Sequence, residues 1–295
     1  MLSAGQDLLR FADGRRFATI LADPPWQFTN KTGKVAPEHK RLARYGTMKL
    51  DEIGALPVPE IAAPTSHLKV FLPAEGQDAP SLPEYAPDGA VYADEGPQPT
   101  VRTYTPRAYD PATKTLEIQF LLHGEGPASA WAQHAKPGDK LAVAGPGGRF
   151  SLEPVADHWW LAADESAIPA VGTLLEALPE TTTVDVHIEV DGPEDEVELP
   201  GPVKTTITWH HRRARDAFGA ELAAAAREAA ISDGARIWVA CEAAAMRDIR
   251  RYFLRERGIP VAQLVTRGYW RTGEQNHQDS DESNSRFFHG NPPLD

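Results

Sequence analysis

The stretch Val101-Arg102-Thr103-Tyr104-Thr105-Pro106-Arg107 reads as a β-strand that carries a cation, an aromatic ring and hydroxyl groups. Side chains two positions apart share one face of a strand, so Arg102 and Tyr104 point one way and Thr103 and Thr105 the other. Arginine offers a planar fork of donors for phosphate, tyrosine a stacking surface, and threonine a hydroxyl for a polar ring edge. These groups suit a flavin nucleotide. A strand of the same composition without any ligand is an equal alternative.

A second segment, residues 123–132, follows a strand predicted over 115–122. Small residues and Ser129 open a short predicted helix here. The free N–H groups at a helix start, together with the helix dipole, can hold a pyrophosphate. A strand at 141–144 then runs into the glycine-rich bend 145–148. The two segments together therefore favour a flavin site over a plain strand.

At this point the sequence resembles the siderophore-interacting proteins, a family of FAD-dependent ferric-siderophore reductases in the ferredoxin-reductase superfamily. The resemblance covers about residues 67–282 and is most specific in RTYTPR, HGEGPASAWA, WWLAADESAIPA and RGYWRTGEQNH. It implies FAD and NAD(P)H as cofactors, a ferric siderophore as substrate, and release of the iron as Fe(II). The cofactor-binding residues expected on this basis are Arg102, Thr103, Tyr104, Thr105, His123, Gly126, Pro127, Ala128, Ser129, Trp131, Asp164, Glu165, Ser166 and Trp270.

Charge and composition narrow the possible partners. The net charge of -12 argues against nucleic-acid binding, and an acidic protein needs local cations to hold an anionic ferric siderophore. We expect Lys69, Arg267 and Arg271 to supply them. The only cysteine, Cys241, excludes an internal disulfide and a Cys-ligated cluster, and its apolar surroundings predict a buried thiol. No metal-binding spacing occurs among the ten histidines, so we expect no protein-bound metal.

The chain shows no apolar run of the ~18 residues that a membrane span needs and no secretory signal pattern. We therefore expect a cytoplasmic protein without membrane insertion, and a monomer. The length of 295 residues is enough for two domains.

The first part of the chain has a different character. A strand predicted over 17–22 ends at Asp23, Pro24, Pro25 and Trp26, which resemble the catalytic motif of the MT-A70 adenine N6-methyltransferases. That family's S-adenosylmethionine segment has no counterpart after Leu68, so a fused remnant is favoured over an active methyltransferase. A truncated fusion that only binds flavin or siderophore is a further alternative.

The rest predicts an all-β domain followed by an α/β domain. Short strands between Pro- and Gly-rich turns, at 68–72, 101–105, 116–122 and 141–144, indicate an antiparallel barrel or sandwich. The family resemblance implies that this is the flavin-binding barrel, here without its first strands. From His158 the pattern becomes strand, helix, strand, typical of an open α/β sheet, and the family resemblance implies that it binds NAD(P)H. The expected boundaries are 1–66 for the methyltransferase-like fragment, 67–153 for the barrel, 154–282 for the α/β domain and 283–295 for a tail.

Two predictions in the α/β domain keep an alternative. Asp164, Glu165 and Ser166 end a predicted strand, where such sheets bind ligands, but Ser166 is equally suited to cap the next helix. By resemblance Trp270 lies near the flavin, whereas the alternative is a tryptophan that anchors the terminal segment. The basic run 212–215, with Arg212, Arg213 and Arg215, is expected to be a solvated turn rather than a nucleic-acid patch.

Overall fold

The computed structural model of this chain describes residues 63–86, 89–92, 96–110, 112–113, 115–123, 126–148, 150–153, 155–213, 217–274 and 277. All of them belong to one compact unit, Ala62–Asp295. The predicted strand 17–22, the motif Asp23, Pro24, Pro25 and Trp26, and the tail 283–295 lie outside the described residues.

The first half of the described chain consists of short antiparallel strands. They are β1 (His67–Leu72), β2 (Glu84–Ala86), β3 (Gly89–Val91), β4 (Thr100–Tyr104), β5 (Pro106–Asp110) and β6 (Thr115–Ile118), followed by helix α1 (Pro127–His134) and strand β7 (Ala142–Gly147). Within the described residues, β1 pairs with β4 on one side and β7 on the other, while β2–β3 and β5–β6 form two separate ladders. The predicted strands at 68–72 and 101–105 are confirmed within one residue.

The strand predicted to run through Leu122 is wrong beyond Ile118, where β6 ends. Phe120 leaves the strand to pack between Tyr104 and Trp131, at ring-centroid distances of 4.4 Å and 6.0 Å. Leu121 and Leu122 are exposed. The chain is therefore directed towards α1 by an aromatic contact, which an alternating pattern alone does not reveal.

The second half is a parallel five-stranded sheet with helices on both faces. Its strands are β8 (His158–Asp164), β9 (Thr183–Val190), β10 (Lys204–His211), β11 (Arg236–Glu242) and β12 (Leu264–Trp270), in the spatial order β10-β9-β8-β11-β12. The helices are α2 (Ile168–Ala177), α3 (Ala220–Glu228) and α4 (Ala243–Arg251). The predicted open α/β sheet is thus confirmed, with β12 as a strand that the sequence analysis did not assign.

Two apolar layers cover this sheet. Trp159 and Trp238 lie in the core on the side that carries α2, while Trp160 and Phe253 lie in the core on the side of α3 and α4. Strands buried on both faces read as continuous apolar runs, which is why these elements could be predicted. Cys241 is buried in the second of these layers, as predicted.

Arg236 joins the sheet to the segment that enters it. Its Nη1 donates to the carbonyls of Ser151 and Leu152, both at 3.0 Å. Its guanidinium lies 5.2 Å from the ring centroid of Phe150 and 4.8 Å from that of Trp159. Residues 150–152 are therefore fixed against the starts of β8 and β11. In the part of the chain described here, no helix is long and apolar enough to cross a lipid bilayer.

Candidate functional site

The pairing of β1 with β4 decides which way the predicted flavin residues face. Val70 lies opposite Arg102, and Lys69 lies opposite Thr103. Directly paired residues share a face, so Arg102 faces the same side as the buried Val70, and Thr103 faces the other side with Lys69. The alternation predicted for the strand therefore holds in the structure.

Arg102 has an available guanidinium. Its Nη1 donates to the carbonyl of Val101 at 2.9 Å, and among the described residues no carboxylate pairs with it. An arginine that is half-buried without a carboxylate partner is suited to an anionic ligand such as a phosphate group.

Tyr104 is half-buried, and burial raises the pKa of its phenol while the charge of Arg102 opposes the rise. Phe120 covers part of its ring and also contacts Trp131 of α1. The structure thus brings the predicted strand and the predicted helix together, and one protein side chain occupies part of the space between them.

The start of α1 supplies backbone donors. The helix begins at Pro127, its N-cap residue is Gly126, and no side chain caps its first turn. Ser129 is almost fully buried, and its Oγ accepts from the backbone N–H of His123 at 2.9 Å. Ser129 therefore holds the loop that leads into the helix, which leaves the N–H groups of the helix start as the groups suited to a pyrophosphate.

The donors around β4 and α1 fit an FAD molecule. An arginine without a carboxylate partner, an uncapped helix start and a partly open tyrosine ring correspond to the phosphates and the flat ring of that cofactor.

Of the three basic residues predicted to bind the substrate, Lys69 and Arg267 lie near the imidazole of His67. Burial, and then the charges of Lys69 and Arg267, lower the pKa of His67. Lys69 Nζ donates to Thr103 Oγ1 at 2.7 Å. Arg271 is different, because its Nη1 pairs with Glu274 Oε1 at 2.7 Å on an exposed surface. The structure therefore groups Lys69 and Arg267 around His67, and Arg271 has its own acidic partner.

His67 was missed by the sequence analysis, because nothing around a single histidine at a strand start indicates its surroundings. Its ring lies against the glycine-rich end of β7, where a Cβ atom at Gly147 would come within 2.6 Å of His67 Nε2. The bend predicted at 145–148 is wrong through Gly147, because β7 continues to that residue, and the glycines there make room for the imidazole.

Asp164 joins the carboxyl ends of three strands. It is 2% exposed, and its carboxylate accepts hydrogen bonds from four donors. These are Ser166 N at 3.1 Å, Ser166 Oγ at 2.5 Å, Glu242 N at 2.8 Å and Trp270 Nε1 at 2.7 Å. Burial raises the pKa of Asp164 to about 6, against the effect of the hydrogen bonds from Ser166 and Trp270. The cap of the turn that follows β8 is thus Asp164, with Ser166 as its donor.

Glu165, the next residue, faces a cluster of charges. Its Oε1 pairs with Arg212 Nη2 at 2.5 Å, and Arg212 also contacts Glu189 and Asp191. Only 10% of the Arg212 side chain is exposed, so the expectation of a solvated turn is wrong for this residue. The buried Glu189 further accepts from the backbone N–H groups of Gly219 and Glu221, at 2.7 Å and 3.1 Å.

These side chains define the carboxyl edge of the parallel sheet. Asp164 ends β8 and Glu165 follows it, Glu242 ends β11, and Trp270 ends β12. Open α/β sheets bind nucleotides beyond this edge. Glu242 caps α4 by accepting from Ala244 N and Ala245 N, at 2.6 Å and 3.1 Å.

A cavity of about 430 Å³ lies away from these residues, between β9, β10 and α3. His187 and His210 line it, with Nδ1 of the first 3.0 Å from Nε2 of the second. None of the predicted site residues lines this cavity.

Two family models match the chain. The model described as "Siderophore-interacting FAD-binding domain" matches residues 39–150, and the model described as "Siderophore-interacting protein" matches residues 156–273. The first match begins inside the stretch 1–66 that the sequence analysis gave to a methyltransferase-like fragment. The matches do not support the methyltransferase resemblance.

Similar proteins agree with these matches. The chain is 33% identical over 213 residues to the ferric vibriobactin reductase ViuB of Vibrio cholerae, which covers 71% of this chain and 78% of that protein. It is 36% identical over 189 residues to an uncharacterised protein of Mycobacterium tuberculosis, covering 60% of this chain and spanning 66% of that relative's length. A solved structure, a siderophore utilization protein from T. fusca, is 34% identical with a TM-score of 0.65, covering 77% of this chain and 86% of that one. This chain belongs to the siderophore-interacting protein family.

Proposed function

We propose that this chain is an FAD-dependent reductase that uses NAD(P)H to reduce Fe(III) held by a siderophore and releases the iron as Fe(II). The observation that carries the proposal is the β1–β4 register, which puts Arg102 and Tyr104 on one face of the strand, with Tyr104 connected to α1 through Phe120, in a chain matched by both siderophore-interacting family models. Bound FAD would supply the redox chemistry, by accepting a hydride and giving up electrons one at a time.

In this proposal the residues of the chain bind FAD and hold it in position. Arg102 and the start of α1 hold the FAD phosphates, and Tyr104 offers its open ring to the flavin. His123, Ser129 and Trp131 support the loop and helix on which this depends. Thr103 and Thr105 lie on the same strand segment, where Lys69 already donates to the hydroxyl of Thr103.

NAD(P)H would lie beyond the carboxyl edge of the parallel sheet. The carboxylate of Asp164 is occupied by protein donors, so its role here is to hold Ser166 and Trp270 in place. Glu165 is likewise paired with Arg212. We propose that these residues shape the edge of the nucleotide site. Among them, Trp270 at the end of β12 would lie nearest to the flavin.

Charge supports a negatively charged substrate. The chain as a whole carries a net charge of -12. Near His67, however, the charges of Lys69 and Arg267 add to burial in lowering the pKa of the imidazole, which is therefore neutral at physiological pH. A ferric siderophore that carries negative charge would be attracted to this local excess of cations.

Location, oligomeric state and domain boundaries belong to the same proposal. Reduction by NAD(P)H suits a cytoplasmic protein, and we propose a monomer. We keep 67–153 and 154–282 as the two reductase domains, and the FAD-domain match from residue 39 favours an earlier start of the first. The boundary at residue 66 is tested by comparing the FAD affinity of chains that begin at residues 39 and 67.

The experiment uses the purified full chain incubated with FAD. We expect bound flavin after gel filtration, loss of the flavin absorbance bands on anaerobic addition of NADH or NADPH, and Fe(II) captured by ferrozine when a ferric catecholate chelate is added. A protein that retains no flavin, or a reduced flavin that never yields Fe(II), would contradict the proposal.

A further inference from the structure

Arg107 links the flavin-type half of the chain to the α/β half. It lies on β5, and its guanidinium reaches Glu176 of α2, with Nη1 2.9 Å from Oε2 and Nη2 2.7 Å from Oε1. Its side chain is 14% exposed. A two-pronged arginine–carboxylate contact fixes the relative orientation of its partners as well as their distance.

Gly172, one helical turn before Glu176, allows this approach. A Cβ atom at Gly172 would come within 3.0 Å of Arg107 Nε, so the guanidinium lies directly on the helix backbone there. Glycine inside a helix is unfavourable, and its position here coincides with the close approach of Arg107. Helix α2 is therefore shaped to receive this one side chain.

Neighbouring contacts join the same two parts. The buried Thr105, two residues before Arg107, shares a side-chain hydrogen bond with Tyr269 of β12. The backbone N–H of Thr65 donates to Thr173 Oγ1 of α2 at 3.2 Å. The run that carries Arg102 and Tyr104 thus contacts the α/β domain through Thr105 as well as Arg107, and Thr65 adds a contact from the segment before β1.

The contact surface near Arg107 is open to water. A cleft of about 450 Å³ lies there, lined by Arg107 and Glu117 on one side and by Ile168, Glu176 and Leu199 on the other. The Arg107–Glu176 pair therefore spans the cleft and limits how far its two walls can move.

We propose that Arg107 and Glu176 are positioning residues that set the distance between the flavin and the nicotinamide. The proposal rests on the proposed function. The step concerned is the transfer of a hydride, with its two electrons, from NAD(P)H to FAD, which oxidises the first and reduces the second. Helix α2 follows directly on the turn Glu165–Ala167 at the carboxyl edge of the sheet, so moving α2 moves the edge where NAD(P)H would bind.

The first test separates the two half-reactions in the FAD-loaded full chain. Arg107→Ala and Glu176→Ala are each expected to slow flavin reduction by NAD(P)H by about 10- to 100-fold, the effect of a displacement near 1 Å. Electron transfer to a ferric catecholate chelate, started from flavin reduced with dithionite, is expected to stay within about twofold of the unmodified protein, because it does not involve NAD(P)H. Arg107→Lys, which keeps the charge and loses the fork, is expected to be intermediate.

A matched control removes an ion pair elsewhere. Arg251→Ala breaks the exposed pair with Asp248 on α4, where the two atoms are 3.0 Å apart, and is expected to change neither half-reaction. If Arg107→Ala reduces flavin at the unmodified rate, or if both half-reactions slow equally, the positioning role is wrong. If the unmodified protein itself is not reduced by NAD(P)H, the proposed function fails first.

The second test needs no cofactor. In the FAD-free full chain, the loss in Tm of Arg107→Ala combined with Glu176→Ala is expected to be smaller than the sum of the two single losses, because both remove the same contact. Amide hydrogen exchange in residues 106–110 and 168–177 is expected to rise in both single variants. Additive losses in Tm, with unchanged exchange in both segments, would show that the pair does not couple the domains.

Discussion

Trp270 donates its indole N–H to Asp164 Oδ2 at 2.7 Å, and this bond joins residues 106 positions apart in the chain. The same oxygen accepts the backbone N–H of Glu242 at 2.8 Å. One buried carboxylate oxygen therefore fastens the end of β12 and the end of β11 to the end of β8. The indole also meets Phe218 edge-on, with ring centroids 4.7 Å apart.

Replacing Trp270 with Phe is expected to destabilise the protein by about 1–3 kcal/mol, because a buried carboxylate loses one of its donors. The measurement is urea unfolding at pH 7. Trp209→Phe is the control, because the Trp209 indole makes no hydrogen bond within the described residues although it packs on the core of the same sheet. Equal losses for the two variants would mean that only ring size matters at Trp270.

Asp164 gives a pH dependence of known sign. Burial raises its folded pKa to about 6, above the usual value for an aspartate, so the folded state holds the proton more tightly than the unfolded state. Its contribution to stability is then fully present below about pH 4 and is lost as the pH rises through about 6. The Tm of the unmodified protein minus the Tm of Asp164→Asn should therefore decrease as the pH rises from about 4 to about 6, and it should stay level above that range. A difference that increases across the same window would contradict the raised pKa.

Much of the fold could be predicted because the apolar residues of its strands and helices follow regular patterns in the sequence. The apolar runs of β8 and β11 are buried on both faces, and α2 presents its apolar side chains to the sheet. β12 was not assigned, since Arg267 and Trp270 within it were considered only as site residues. β6 was predicted too long because the contact between Phe120 and Tyr104 involves residues 16 positions apart.

The site could be predicted less completely, for a physical reason. The facing of Arg102 and Tyr104 follows from local strand alternation and holds in the structure. The hydrogen bonds that Asp164 accepts come from donors 78 and 106 residues away. The ion pairs that Arg212 forms involve carboxylates up to 47 residues away. A local sequence pattern cannot reveal contacts between residues so far apart in the chain. For the same reason it does not show that His67 lies near both Lys69 and Arg267.

Arg102→Ala is expected to weaken FAD binding by about 10- to 100-fold, the effect of losing a hydrogen bond of about 1.5–3 kcal/mol to a charged group. Quenching of flavin fluorescence during titration measures the affinity. Arg251→Ala, which removes an arginine from α4, should bind FAD normally. If the two variants bind equally well, the phosphates do not lie at Arg102.

The three predicted substrate cations should differ in their effects. Lys69→Ala and Arg267→Ala are each expected to raise KM for an anionic ferric chelate by about fivefold, the effect of about 1 kcal/mol of charge interaction, and less at high salt. Arg271→Ala should have a smaller effect, because Glu274 already pairs with this guanidinium. Lys204→Ala, on the exposed start of β10, is the control. An effect at Arg271 that equals the effect at Lys69 would place the chelate near the Glu274 surface instead.

Gly147→Ala tests the close contact with His67. The added methyl group would lie 2.6 Å from His67 Nε2, so the ring must move, and we expect a loss of about 1–3 kcal/mol in the free energy of unfolding. His67→Ala alone should cost less, and adding it to Gly147→Ala should recover most of the loss, because the atoms that collide are then absent. Urea unfolding of the three variants measures this. Losses that simply add would show that the methyl group at position 147 meets something other than the imidazole.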